Sequence, residues 1–198
     1  MRLFTGIAIA PEVLEKLARV LDELRPLAKV NWSPVENLHI TTKFIGAWPE
    51  ARLAELKKTL EGLHFGKACG ISIAKFGYFP NPHRPNAFFA GVQAGPELED
   101  LAGRMDDALL PLGVAKEERR FTPHLTLARI KNGDVRQLQR HIAGMTDFDF
   151  GKFVASEYGE ETAQRLFDTH PRMTLTGEYI ECEDPEDAGG KKGWFKLW

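Results

Sequence analysis

The sequence predicts a two-lobed protein of mixed strands and helices, built by duplication of one unit. Three observations predict it. Strand-like apolar runs alternate with helically spaced ones along 198 residues, a length that supports one good core or two small lobes sharing one. Prolines stand where the helices would open. The stretch "FTGIAIAPE" from Phe4 returns as "FAGVQAGPE" from Phe89, an offset of 85 residues at which Phe, Gly, Pro and Glu all match.

In chain order, residues 3–9 read as a strand. From Pro11, Val13, Leu14, Leu17, Val20, Leu21 and Leu24 fall at helical spacing. "HITTKFIG" from His39 reads as a strand, and Pro49 opens a helix with Leu53, Leu56, Leu60 and Leu63 on one face. Residues 70–79 and 87–93 read as strands joined by the turn-rich "NPHRPN". Pro96 opens a third helix, with Leu98, Leu101, Met105, Leu109 and Leu112 inward. "HLTLARI" is a strand, and "DVRQLQRHI" a short helix with Asp134 as its N-cap. Strands are expected near 148–158 and 172–182, before a Gly-rich, charged tail ending in "WFKLW".

The offset extends through the chain. Pro11 lies 28 residues before His39, and Pro96 lies 28 before His124; Thr41 maps onto Thr126, and Pro49 onto Asp134. The order strand, helix, H-x-T strand, helix therefore occurs twice, over about 2–64 and 87–143, within a single domain whose last segment, about 159–198, diverges. Two copies are too few for a solenoid, so they are expected to pack as lobes about a pseudo-two-fold axis.

Residues i and i+2 of a strand share a face, ~6.6 Å apart along the chain. Each H-x-T thus presents an imidazole beside a hydroxyl, while Ile40 and Leu125 point into a core. Across a pseudo-two-fold axis, two imidazoles and two hydroxyls surround one space. With a pKa of ~6.5, one imidazole can be neutral while the other is protonated, which suits paired base and acid work. The threonines can donate to the oxygens of a central anion, and a phosphodiester fits: one group takes a proton from the nucleophile, another gives one to the leaving oxygen, and donors neutralise the non-bridging oxygens. No metal is demanded. A zinc site lacks a third strong ligand, since His64, His83, His141 and His170 show no ligand spacing. A serine hydrolase lacks a G-x-S-x-G.

Bulk properties narrow the setting. A net charge of −2 is unlike a protein that coats many phosphates, so contact with a terminus or a few nucleotides is expected. The basic "KEERR" at 116–120 precedes the second motif, and the acidic "ECEDPED" at 181–187 reads as solvated surface. No apolar run approaches a membrane span, and the N-terminus reads as a strand and not a signal peptide. Cys69 and Cys182 form no metal or redox motif and fit reduced thiols in the cytoplasm, with one disulfide left open.

At "HITT" and "HLTL" the sequence resembles the 2H phosphoesterase superfamily, which carries paired H-x-T-x tetrapeptides, and within it the bacterial and archaeal RNA 2′,3′-cyclic phosphodiesterases, historically named 2′–5′ RNA ligases. "RLFTGIAIAPEV", "WSPVENLHITTKFIG", "FGYFPNPHRPNAFFAGV" and "RRFTPHLTLARIK" resemble that family's successive blocks, over about 2–153. The resemblance implies an α+β, LigT-like fold with two antiparallel sheets flanking a central cleft and helices on the outer faces. It implies metal-independent opening of RNA 2′,3′-cyclic phosphate ends to 2′-phosphates, with weak reversible 2′–5′ RNA ligation. By position, His39 is the general acid and His124 the general base; Thr41 and Thr126 hold the phosphate. Arg129 stands in the family's position after the second motif, although a regular strand would turn it to the opposite face. The family's usual Ser-x-Leu and Gly-Pro-x-Tyr pattern after "FDFGKFVASEY" is absent here, which leaves substrate choice open.

For substrate binding, Trp32, Phe44, Phe79 and Phe121 are candidates to stack on a base, each with core packing as the plainer alternative. Arg119 and Arg120 are candidates to attract RNA. The expected partners are RNA 3′ ends, short oligonucleotides or cyclic nucleotides; no cofactor, membrane or second subunit is called for. Two alternatives stay open: a phosphodiesterase for a small cyclic phosphate or a 2′–5′ oligonucleotide, and a non-catalytic binder of RNA ends or nucleotides.

Overall fold

The computed structural model describes residues 2–63, 68–131 and 133–155, and the backbone of 174–175 and 179–180. The tail, with its tryptophans, its acidic run and Cys182, lies outside the described residues, as do His64 and His170. In order come β1 (Arg2–Ala8), α1 (Pro11–Leu24), β2 (Asn31–Trp32), β3 (His39–Ala47), α2 (Leu53–Leu60), β4 (Cys69–Phe79), β5 (Ala87–Ala94), α3 (Pro96–Leu109), β6 (His124–Arg129), α4 (Arg136–Gly144), β7 (Asp149–Ala155), β8 (Thr174–Leu175) and β9 (Tyr179–Ile180).

Local chemistry sets the boundaries. Pro11 and Pro96 occupy the first positions of α1 and α3, where a missing N–H costs nothing and φ is preset. Pro49 precedes a 3₁₀ turn, so α2 begins at Leu53 instead. Asp134 is not the N-cap of α4: its Oδ1 accepts the Arg136 backbone N–H at 2.9 Å, and the helix starts one residue later than the sequence suggests. Beside it the Arg136 guanidinium holds the Asp134 carboxyl down at about 2.

The strands pair antiparallel in the order β1-β3-β6-β5-β4-β7. The two sheets expected on either side of the cleft thus run on into one, joined where β3 and β6 meet at a single pair, Ile40 with Leu125. Those two residues lie 85 apart, the offset at which the sequence motifs recur. Beyond that pair β2 takes over as neighbour of β6, with Asn31 opposite Arg129; two residues are too short a run to read as a strand from sequence. β8 and β9 form a separate small hairpin.

Behind the sheet the helices cross over. α1 lies on β7, at the far edge of the sheet, and α3 lies on β3. Val13, Leu17, Leu21 and Leu24 of α1 and Leu98, Leu101 and Met105 of α3 close one apolar cluster over Ile7, Ile40, Ile73, Phe88 and Leu125. A smaller cluster joins Leu3, Trp48, Leu56, Leu60, Leu109 and Val114. Each of these helices therefore covers a strand from the other half of the chain. The opposite face of the sheet is left to the two H-x-T pairs.

Candidate active site

Ile40 and Leu125 are fully buried, so His39, Thr41, His124 and Thr126, one residue to either side, share the other face and are half-buried. Continuing the antiparallel register by one residue sets His39 opposite Thr126 and Thr41 opposite His124. The two histidines then lie on a diagonal whose Cα separation is about 7–8 Å. The structure brings all four predicted residues together around a pseudo-dyad through the Ile40–Leu125 pair.

Both imidazoles are held alike. His39 Nδ1 lies 2.8 Å from the carbonyl of Asn37, and His124 Nδ1 lies 2.8 Å from that of Thr122. A carbonyl can only accept, so each Nδ1 carries the proton and donates it, which makes Nε2 the nitrogen that exchanges a proton with a substrate. Neither threonine hydroxyl bonds to another described residue, so both are available as donors.

The rings beside the two imidazoles differ. Phe4 stacks on His39, with centroids 4.3 Å apart and planes at 20°. Its counterpart Phe89 meets His124 edge-on at 5.6 Å, and Phe79, stacked on Phe89 at 4.2 Å, adds a second edge at 4.9 Å. Burial among these rings lowers the His124 pKa; the Thr122 carbonyl raises it; the positive charge of Arg129 lowers it again. The net direction is down, so His124 is a neutral imidazole at neutral pH.

Gly77 makes room for this aromatic wall. A Cβ there would stand 2.6 Å from Phe89 Cε2. The ring cannot swing away freely, because Phe79 and His124 pack on it. Gly77→Ala is expected to cost about 1–3 kcal/mol by overpacking, seen in a urea melt, and to slow turnover as His124 loses its edge support.

Bulges decide what else reaches the cleft. In β6 the register slips between Phe88 and Phe89, so that Ala128 pairs with Phe88 but Thr126 with Phe89. Leu127 and Ala128 both turn inward, and Arg129 returns to the face of His124. A regular strand would have turned it away. β3 repeats the device: the register slips between Thr5 and Gly6, Thr42 and Lys43 are both buried, and Phe44 comes out onto the face of His39 and Thr41. Phe44 is 39% exposed and its ring lies 6.2 Å from Phe4.

The remaining candidates sit elsewhere. Trp32 donates its Nε1–H to the Ala28 carbonyl at 3.1 Å and packs edge-on against the buried Phe88, and Phe121 packs on the main core. Both are half-buried against the core. Arg120 pairs with Glu99 at 3.1 Å. The sequence reading missed Phe4 and Phe89 as imidazole supports, although both were visible as matched positions of the repeat. It also missed Lys43, which nothing in the sequence distinguishes from an ordinary surface lysine. Among the described residues no group of three His, Cys, Asp or Glu could hold a metal ion, and no helix is long and apolar enough to cross a membrane.

Comparison with known proteins agrees with this geometry. Residues 7–89 and 91–159 match the family model described as LigT like phosphoesterase. The chain is 34% identical over 142 residues to the RNA 2′,3′-cyclic phosphodiesterase of Archaeoglobus fulgidus, covering 71% of this chain and 80% of that one. It is 32% identical over 156 residues to the protein of the same name from Methanocaldococcus jannaschii, covering 78% and 87%. A crystal structure from Thermus thermophilus superposes with a TM-score of 0.66 at 25% identity, over 78% of this chain and 84% of that chain. With both H-x-T strands inside the matched span, the chain belongs to the LigT-like phosphoesterase family.

Proposed function

We infer that this protein hydrolyses RNA 2′,3′-cyclic phosphate ends to 2′-phosphomonoesters without a metal. The observation that carries the reading is the meeting of two H-x-T strands at one antiparallel pair, with both Nδ1 atoms tied to carbonyls so that proton exchange falls to Nε2. The names of the archaeal relatives point the same way.

His124, neutral, takes a proton from water at Nε2 as the water oxygen bonds to phosphorus. His39, as the imidazolium, gives a proton to the 3′ oxygen as its bond to phosphorus breaks. The product carries a 2′-phosphate and a 3′-hydroxyl. Thr41 and Thr126 donate to the non-bridging oxygens, where charge builds up. The leaving alkoxide receives its proton from an imidazolium, so no Lewis acid is needed. An RNA 5′-hydroxyl in place of water, losing its proton to His124 as its oxygen bonds to phosphorus while the 3′ oxygen gains one from His39, would give weak 2′–5′ ligation by the same groups. Phe44 offers an exposed ring for the terminal base, and Arg129 a cation beside His124 for phosphate oxygens. The site is complete within one chain, which favours action as a monomer, and the buried free thiol of Cys69 suits the cytoplasm.

The test is hydrolysis of a short RNA ending in a 2′,3′-cyclic phosphate in excess EDTA, with the product's phosphate position read by ³¹P NMR. Full activity and a 2′-phosphate are expected; a protein inert in EDTA and restored by zinc would overturn the mechanism.

The charge of Arg129 gives a pH test. A general base works when neutral, and its neutral fraction rises as pH climbs through its pKa. With the His124 pKa lowered, the acid limb of kcat/KM falls below about 6.5. Arg129→Gln removes one lowering influence, so the limb moves to higher pH. A limb that stays put would separate Arg129 from His124.

A further inference from the structure

The four-residue core is close to symmetric, and hydrolysis is not. An in-line reaction needs one histidine to act as acid and the other as base, yet the pseudo-dyad through Ile40 and Leu125 exchanges His39 with His124 and Thr41 with Thr126. Each imidazole makes the same 2.8 Å bond to the carbonyl two residues before it. A cyclic phosphate turned by 180° about that axis would meet the same donors with the two histidines exchanged. Something on the cleft face must choose between the two directions.

The matched bulges supply it. Positions 44 and 129 lie 85 apart, so they are equivalents in the two copies, and each is the first residue that its bulge returns to the cleft face. Because β3 and β6 run antiparallel, they stand at opposite ends of the core. One is an exposed phenylalanine against Phe4, and the other is a guanidinium whose charge reaches His124. A ring face receives a base, and a guanidinium receives phosphate oxygens.

We propose that Phe44 and Arg129 set the direction in which the terminal nucleotide lies across the pseudo-dyad, and thereby which histidine is acid and which is base. The inference rests on the cyclic-phosphate reading above. In the native direction water loses its proton to His124, and the 3′ oxygen gains one from His39. With the pair exchanged, water loses its proton to His39 and the 3′ oxygen gains one from His124, which must then enter as the imidazolium, so this direction is read on the acid side of the pH profile; the bonds formed and broken, and the 2′-phosphate product, are unchanged.

The test uses an RNA whose 2′,3′-cyclic phosphate carries sulfur at the 3′ bridging position. A departing thiolate needs no proton, so loss of the acid is tolerated and loss of the base is not. In the native chain, His39→Ala should regain about a hundredfold on the sulfur substrate relative to the oxygen one, and His124→Ala should regain nothing. In the double variant Phe44→Arg with Arg129→Phe the pattern should reverse. In the milder Phe44→Leu with Arg129→Gln, both histidine variants should regain part of their activity, because both directions become populated. Recovery confined to His39→Ala in both altered frames overturns the proposal while leaving the cyclic-phosphate reading intact. A native chain that does not open the oxygen substrate overturns that reading, and the inference with it.

Discussion

His39→Ala and His124→Ala are each expected to lower kcat on a cyclic-phosphate RNA by about a hundredfold or more, the usual contribution of a positioned acid or base. Both act in one transition state, so the double variant should fall well short of the product of the two losses. RNA binding should change little, because Phe44, Arg129 and the threonines remain. The result also separates enzyme from binder: a protein that only holds RNA ends would show no turnover in the native chain and only modest affinity changes in either variant. Steady-state kinetics beside a binding titration reads both.

The largest effect on stability is expected at Asp106. Lys43 is one of three buried polar or charged side chains among the described residues, because the β3 bulge turns it inward. Its ammonium lies 2.6 Å from Asp106 Oδ1 on α3 and donates to the Ala115 carbonyl at 2.6 Å, with Glu117 at 3.7 Å. Asp106 in turn accepts the Glu117 backbone N–H at 3.1 Å. The offset of 85 explains the site's position: residues 115–117 correspond to 30–32, so where β2 flanks β6 through backbone pairing, the matching loop is held to β3 by the Lys43 side chain. Asp106→Ala leaves a buried cation without its carboxylate and is expected to cost about 3–5 kcal/mol. Replacing the pair with apolar residues, Lys43→Met with Asp106→Leu, should recover most of that loss. Urea unfolding of the native chain and both variants measures it. A loss under about 1 kcal/mol for Asp106→Ala would mean that the ammonium reaches water.

Much of this molecule was legible because its signals are local or repeated. Pro11 and Pro96 mark the starts of α1 and α3, and the leucine spacings mark their buried faces. The offset carrying His39 onto His124 also carries Ile40 onto Leu125, and that pair is where β3 meets β6. The resemblance added the direction of the chemistry. What stayed hidden depends on partners distant in sequence. Strict alternation would put Lys43 on the cleft face with His39 and Thr41 and turn Phe44 and Arg129 away. The bulges reverse all three, and a bulge exists only in relation to the strand beside it. The carbonyls of Asn37 and Thr122 were unreadable for a related reason: any residue has one, and only the folded backbone aims it. The crossing of α1 onto β7 and α3 onto β3 left no trace in the helical patterns, which specify an apolar face but not its partner.

The central claim is that two imidazoles related by a pseudo-dyad divide the proton transfers between them. The pH dependence of kcat/KM in the native chain and in the two histidine variants tests it most directly. The native chain should give a bell, with its acid limb below the ordinary imidazole range because burial lowers the His124 pKa. His124→Ala should lose the acid limb and His39→Ala the alkaline one. Both limbs surviving in either variant would contradict the division of labour and place the acid or the base on another group.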